Sequence, residues 1–357
     1  MGCTYYHNST LGGVMKTLDL RSDTVTRPTA GMLTAMSNAE VGDDVYGEDP
    51  TTNKLEKLGA EILQKEAALF CPSGTQSNLI ALLTHCKRGD EYIVGQHAHT
   101  YKYEGGGAAV FGSIQPQPLD LQSDGTFDLD TVAGYIKDDD FHFARTRLLC
   151  LENTYGGLAL PLDYLENCEE FAKNNNLLMH LDGARIFNAA RKWDVPGSKI
   201  AKQFDSVSLC LSKGLGAPAG SLLCGNLDFI KEGRRWRKVL GGGMRQTGYL
   251  AAAGIYSLEN NIDRLSEDQH NAEALARGLN EIAEIEVRYD DSQTNMIFIT
   301  LPDQSLAGLH VYLRQHGIII ASGTAVRMVT HLEIDRKDVD FIIKVFTEFY
   351  SGKNGGA

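Results

Sequence analysis

Lys213 stands between an apolar, β-prone run, Val207 to Leu211, and a tract of small residues, Gly214, Gly216, Ala217, Ala219 and Gly220. Burial lowers an amine's pKa, and a partly neutral ε-amine can attack a carbonyl carbon to form a Schiff base. The small neighbours would leave room for a flat aromatic cofactor. A lysine at a strand end with its ammonium in water fits the same stretch. Asp182 ends another apolar run, Leu177–Leu181, and α/β sheets keep their chemistry at the C-terminal ends of buried strands. An aspartate capping a helix would look the same. Pro72-Ser73-Gly74-Thr75 reads as a turn between strand and helix, which aims the free N–H groups of Gly74, Thr75 and Gln76 at an anion or at nothing but water. It matches neither the P-loop nor the dinucleotide spacing.

His97 and His99 would share a face of a strand, but no carboxylate or cysteine stands within four residues of either, so no metal site is expected. His99 reads better as an imidazole packed on a cofactor ring. Arg245, following a glycine triplet, is placed to reach a phosphate, and Arg327 lies on a late strand. Tyr46 stands among Asp43, Asp44, Glu48 and Asp49, either in a solvated loop or across a partner subunit's site.

The elements that must position these groups alternate. Apolar runs predict strands at Ala67–Cys71, Asp90–Val94, Leu148–Leu151, Leu177–Leu181 and Val207–Leu211. Helical spacing covers Thr51–Lys65, Gln76–His85, Leu158–Asn174, Asp228–Lys238 and a long Tyr249–Leu265. Asp120–Asp140 is a polar, partly helical excursion, and His142, Arg145 and Arg147 follow just before a strand. Beyond Leu265 come helices at Asn271–Ile282, Leu306–His316 and Asp338–Tyr350, with strands Glu286–Val287, Met296–Thr300, Ile318–Ile320 and one carrying Arg327. That mixture predicts a smaller α+β layer. The expected division is an extension at 1–15, a large unit at 16–265 and a small C-terminal unit at 266–357.

With 357 residues and 43% hydrophobic content the chain is long enough for two cores. A net charge of −12 argues against a nucleic-acid surface. The seven cysteines are scattered and never form C-x-x-C, the usage of a reducing compartment, so a cytoplasmic protein is expected. No apolar run reaches membrane-spanning length, and the first residues lack the blocks of a signal peptide.

Together the order is phosphate turn, aromatic, strand-end aspartate, strand-end lysine, glycine–arginine loop, late arginine. It resembles the pyridoxal-phosphate enzymes of the aspartate-aminotransferase fold, and more closely the threonine aldolases. The matching words are LRSDTVTRP from Leu20, VGDDVYGEDP, the PSGT turn, HFARTRLL, DGARIFNA, CLSKGLGAP and GGGMRQTG. They run from about residue 18 to Arg327. The resemblance implies fold type I: an α/β large domain with a mostly parallel seven-stranded sheet between helices, plus the smaller α+β domain. It implies that Lys213 is the Schiff-base lysine and Asp182 the partner of the pyridinium nitrogen. Gly74, Thr75 and Arg245, the last from a neighbouring subunit, would hold the phosphate, and His99 would stack on the ring. Ser22, Arg185 and Arg327 would grip the substrate carboxylate, with Tyr46 nearby, and His142 would lie near the substrate hydroxyl. It also implies a homodimer or homotetramer with shared sites.

The implied reaction is reversible cleavage of L-threonine and L-allo-threonine to glycine and acetaldehyde. Two other readings use the same residues: another pyridoxal-phosphate reaction such as alanine racemisation, or a cofactor-binding protein without catalysis. One departure stands out. Many of these aldolases read ENTHN where this chain has Glu152-Asn153-Thr154-Tyr155-Gly156. Tyrosine is larger and titrates far higher than histidine, which bears on the choice between β-epimers.

Overall fold

A computed structural model describes residues 16–352; the expected extension at 1–15 lies outside the described residues. The strands are β1 (Leu18–Asp19), β2 (Ala67–Cys71), β3 (Asp90–Gly95), β4 (Gln115–Leu119), β5 (Arg145–Glu152) and β6 (Leu178–Asp182). They continue with β7 (Ser206–Cys210), β8 (Ser221–Gly225), β9 (Glu286–Arg288), β10 (Met296–Thr300), β11 (Ile318–Ile319) and β12 (Ala325–Val329). Seven of them form one sheet in the order β2-β8-β7-β6-β5-β3-β4. Every pairing in it is parallel except the two made by β8. Because β8 runs backwards between β2 and β7, those two strands point the same way as the rest. The C-terminal ends of β2, β7, β6, β5 and β3 therefore share one edge of the sheet.

Central strands β3 and β7 are buried along their whole length, as parallel strands covered on both faces must be. One face carries helices Pro50–Leu63, Leu162–Asn174, Ile186–Lys192 and Gly248–Asn260, packed through Leu55, Leu165, Phe187 and Ile255. The other carries Gly74–His85 and Leu227–Val239, packed through Leu79, Leu82, Ile80 and Ile230. A three-stranded antiparallel sheet, β12-β10-β9, makes the second layer. Helices Leu265–Asn280 and Arg336–Tyr350 cover it, the latter opened by an Asp335–Asp338 capping box. β1 pairs with β11, so Leu18 and Leu20 bury in this second cluster beside Ile318.

Several boundaries differ from the sequence expectation. The long helix predicted at Tyr249–Leu265 stops at Asn260, and a second helix begins at Leu265. Between them Asn261 turns inward and donates its side-chain N–H to the Leu215 carbonyl at 2.7 Å, in the turn that carries Lys213. The helix predicted from Leu158 begins at Leu162, because Leu158 bridges to Tyr155 and Gln293 and Pro161 occupies the cap position. β4, with Pro116 and Pro118, and β8 escape the periodicity reading. β4 tolerates its prolines because it lies at the sheet edge.

Candidate active site

At the shared strand edge the residues with chemistry line one cavity of about 720 Å³. Ser22, His99, Glu152, Tyr155, Asp182, Arg185, Lys213 and Arg327 all face it. Most of the expected site is thus brought together from segments up to three hundred residues apart.

Asp182 ends β6 as its buried last residue. One carboxylate oxygen accepts from the Asn78 amide at 2.9 Å and the other from the Ala184 backbone N–H at 3.1 Å. The turn after it passes close to β7: a Cβ on Gly183 would lie 2.8 Å from the Ser208 carbonyl oxygen. Lys213 lies in the turn between β7 and β8, partly exposed to the cavity. Its carbonyl accepts from the Gly216 N–H at 2.8 Å and the Thr26 hydroxyl at 3.2 Å, and Gly216 takes the left-handed φ of +79° that closes the turn. Helix Gly74–His85 starts beside this turn, where a Cβ on Gly74 would sit 3.9 Å from Cys210 Sγ. Its first turn leaves backbone N–H groups free at Gly74 and Thr75, and Ser73 caps it by accepting from Gln76 at 3.2 Å.

His99 opens the short helix His99–Lys102. Its Nδ1 lies 2.7 Å from Glu104, and its backbone N–H donates to Glu152 at 2.8 Å. The Glu104 hydrogen bond raises the His99 imidazole. The metal-site expectation passed over Glu104, five residues beyond His99 in sequence: ligand atoms of His99, Glu104 and Asp182 lie within 4.8 Å of one another. Asn78 bridges the two carboxylates, donating to Glu104 and Asp182 alike. Glu152 ends β5 directly opposite Asp182. Burial first, and then the Asp182 charge, push its carboxyl up to about 7. Burial and the Glu152 charge also raise the Tyr155 phenol.

The arginines divide their labour. Arg185 holds fully buried Asp23 in a two-pronged ion pair, Nε at 2.8 Å and Nη2 at 2.6 Å. Burial alone would raise the Asp23 carboxyl; the Arg185 charge overcomes it and holds the group at about 2. Arg327 forms no ion pair among the described residues and donates only to the Arg21 carbonyl, at 3.3 Å. Its fork is open to a carboxylate, as is that of Arg288, which also lines the cavity, lies over the Phe298 ring and forms no ion pair among the described residues. Ser22 lines the wall, where its hydroxyl oxygen accepts from Thr24.

Five expected residues do not line the cavity within one chain: Gly74 and Thr75, at the helix start beside the Lys213 turn, and Tyr46, Arg245 and His142. Tyr46 is 74% exposed and stacks near Arg245, whose guanidinium carbon lies 5.9 Å from the ring centre and whose Nη1 pairs with Asp43 at 2.8 Å. His142 stands on an exposed tip between Phe141 and Phe143, its Nδ1 2.6 Å from Asp140. Sequence reasoning missed Asp23, Asn78, Glu104 and Glu152. Glu152 had the same signal as Asp182, an acidic residue at the end of an apolar strand; Asp23 lay inside the LRSDTVTRP word and Glu104 five residues past His99, whereas Asn78 had no signal.

The donor set fits pyridoxal phosphate: an oriented carboxylate for a ring nitrogen, an amine on the next turn, and a helix N-terminus beside it for a phosphate. Comparison with known proteins agrees. A model of the beta-eliminating lyase family matches residues 19–302. The chain is 55% identical over 322 residues to a low specificity L-threonine aldolase of Escherichia coli strain K12, covering 90% of this chain and 96% of that one. It is 44% identical over 346 residues to low-specificity L-threonine aldolase 1 of Arabidopsis thaliana, covering 94% and 97%. Its fold superposes on a Leishmania major threonine aldolase with a TM-score of 0.81 at 21% identity, covering 93% and 99%.

Proposed function

The chain belongs to the threonine aldolases within the beta-eliminating lyase family, and from that premise we propose how its own residues carry out the reaction. The protein is a pyridoxal-phosphate-dependent threonine aldolase, a carbon–carbon lyase acting on a small-molecule substrate. Bound pyridoxal phosphate supplies the electron-accepting ring that takes up the pair released when the substrate's Cα–Cβ bond breaks. Lys213 provides the amine to which the cofactor attaches. Asp182, held by Asn78 and Ala184, would face the ring nitrogen and favour a proton on it. The N–H groups of Gly74 and Thr75 would hold the phosphate, and His99 would pack against the ring.

Arg327 binds the substrate carboxylate with its open fork, and Ser22 adds a hydroxyl at the same wall. Arg185 reaches that carboxylate only with what its pairing to Asp23 leaves, so its larger contribution is a fixed positive charge beside Arg327. Holding the carboxylate at this wall would fix the orientation of the substrate's Cα toward Lys213. His99 and Tyr155 line the space for the β-hydroxyl, and either can accept or donate a hydrogen bond there. The observation that carries this reading is the convergence of Lys213, Asp182 and Arg327 on one cavity.

Two chains complete each site in this reading. Arg245 and Tyr46 lie away from the cavity on a face that also exposes Val45, Val239 and Tyr249, and His142 sits on its own exposed aromatic tip. Apolar exposure of this kind suits a homodimer or homotetramer in which these groups serve a neighbour's cavity. The described cysteines are all unpaired and buried, which supports a reducing compartment such as the cytoplasm. No described helix is long and apolar enough to cross a membrane.

The test is acetaldehyde release from the four threonine stereoisomers, repeated with Tyr155→His. Both L-epimers are expected to react within about two orders of magnitude, because neither need leave a buried polar group unpaired. Release from neither L-epimer, together with racemisation of alanine, would overturn the reading.

A further inference from the structure

Behind Asp182 a line of buried polar side chains runs between helix Gly74–His85 and the large sheet. Asn78, His180 and Ser206 are each at most 1% exposed, and His85 closes the line at the helix's last turn, stacked on Phe229. The heavy-atom distances are 2.9 Å from Asn78 Nδ2 to Asp182, 3.2 Å from His180 Nε2 to Asn78 Oδ1, 2.8 Å from His180 Nδ1 to Ser206 Oγ, and 2.6 Å from Ser206 Oγ to His85 Nε2.

The direction of every bond follows from its end. Asn78 faces two carboxylates, Asp182 and Glu104, so the atom it turns to them must be the N–H₂ group. Its carbonyl oxygen then faces His180 Nε2, which must carry the proton. A neutral imidazole has only one, so His180 Nδ1 is bare and accepts from the Ser206 hydroxyl. That hydroxyl hydrogen is thereby used, and Ser206 Oγ can only accept from a proton on His85 Nε2. Both rings are neutral. Burial lowers His180 to about 4 against the pull of Asp182, and burial lowers His85 to about 3, aided by His180 and the Arg147 charge.

We propose that His85, Ser206, His180 and Asn78 form a one-way hydrogen-bond chain that positions Asp182 and stabilises its negative charge at the cofactor's ring nitrogen. All four donors point toward the carboxylate, so their dipoles add rather than cancel, and each bond polarises the next in the low-dielectric interior. Asn78, His180, Ser206 and His85 are positioning residues; none of them touches the cavity. The chain rests on the reading of Asp182 as the ring-nitrogen partner, but its proton pattern does not.

Two measurements on the holoenzyme decide it. Solid-state ¹⁵N NMR of histidine-labelled protein, assigned by loss of a signal in His180→Phe, should show His180 as the neutral Nε2–H form throughout pH 6 to 9. Cofactor dissociation constants should rise about tenfold in Ser206→Ala and in His180→Phe, while the threonine KM at saturating cofactor moves less than twofold. A merely structural role would lower the melting temperature and leave the cofactor constant alone. An Nδ1–H or doubly protonated His180 would overturn the proposal even if the variants failed to fold. So would an unchanged cofactor constant in both variants. A wild-type protein that binds no cofactor would instead sink the functional reading, and the tautomer would still judge the chain.

Discussion

The strand edge that holds Asp182 and Lys213 and the outer face that holds Tyr46 and Arg245 contrast in how their polar groups are matched. At the strand edge partners are internal: Asp182 has two donors, Asp23 has Arg185, and Lys213's turn is tied down by Thr26 and Asn261. On the outer face Arg237 and Asp44 form a buried pair, but Tyr46, Val45 and Val239 stand in solvent beside a half-exposed Arg245. One region is matched largely by partners of its own chain, and the other leaves aromatic and apolar side chains uncovered. The first can therefore be held rigid by its own chain, whereas the second keeps its groups open to solvent.

The largest expected effect lies wholly in the first region. Lys213→Ala should lower threonine cleavage by about 10³-fold or more, because it removes the covalent anchor rather than one contact among several. The loss should be accompanied by disappearance of the cofactor absorbance band from the purified protein. Residual activity within tenfold of wild type would refute the role of Lys213.

Arg245→Ala sharpens the contrast directly. It should weaken cofactor binding by about 10- to 100-fold, the scale of a lost charge-assisted hydrogen bond. At limiting cofactor, mixing it with Lys213→Ala should then give more activity than either variant alone, since one cavity of each mixed pair would be intact. Failure to complement in mixed assemblies verified by mass would mean that Arg245 serves its own chain.

A smaller effect concerns acid stability. Asp23 titrates at about 2 in the folded chain against about 4 when unfolded, so the folded form binds fewer protons between those values. Its contribution is complete above pH 4 and is lost as pH falls toward 2. Asp23→Asn should therefore cost about 3 kcal/mol near neutrality, leaving Arg185 buried without its anion, and much less near pH 2. Denaturant titration at the two pH values reads the difference; an equal loss at both would show that the pair contributes only through packing.

Glu152 gives an effect of the opposite sign. Its folded value, about 7, exceeds its ordinary one, so the cofactor-free protein should lose stability as pH rises from about 4.5 to 7. Glu152→Gln should flatten that slope while keeping the bond from the His99 N–H. A slope unchanged in the variant would locate the proton elsewhere.

Elements with strong local patterns were legible from sequence. β2, β3, β5, β6 and β7 lie where apolar runs placed them, within a few residues. β4 and β8 were not, because two prolines and a short run carry no period, and what makes them strands is their neighbours. The helix break at Asn261 was hidden for a related reason. Its asparagine is held by a carbonyl 46 positions away, and helical spacing on either side reads straight through it.

By itself the sequence determined the order of chemical groups along the chain, the strand ends that carry Asp182 and Lys213, and enough joint motifs to name the family. Only the tertiary structure decided which groups share a cavity. It paired Asp23 with Arg185, left Arg327 open, brought Glu104 and Asn78 under His99 and Asp182, and set Tyr46, Arg245 and His142 apart. These are contacts between residues distant in sequence, and their strength comes from burial. A carboxylate, an amide or an imidazole has no fixed role until the fold removes its water and supplies the partner in its place.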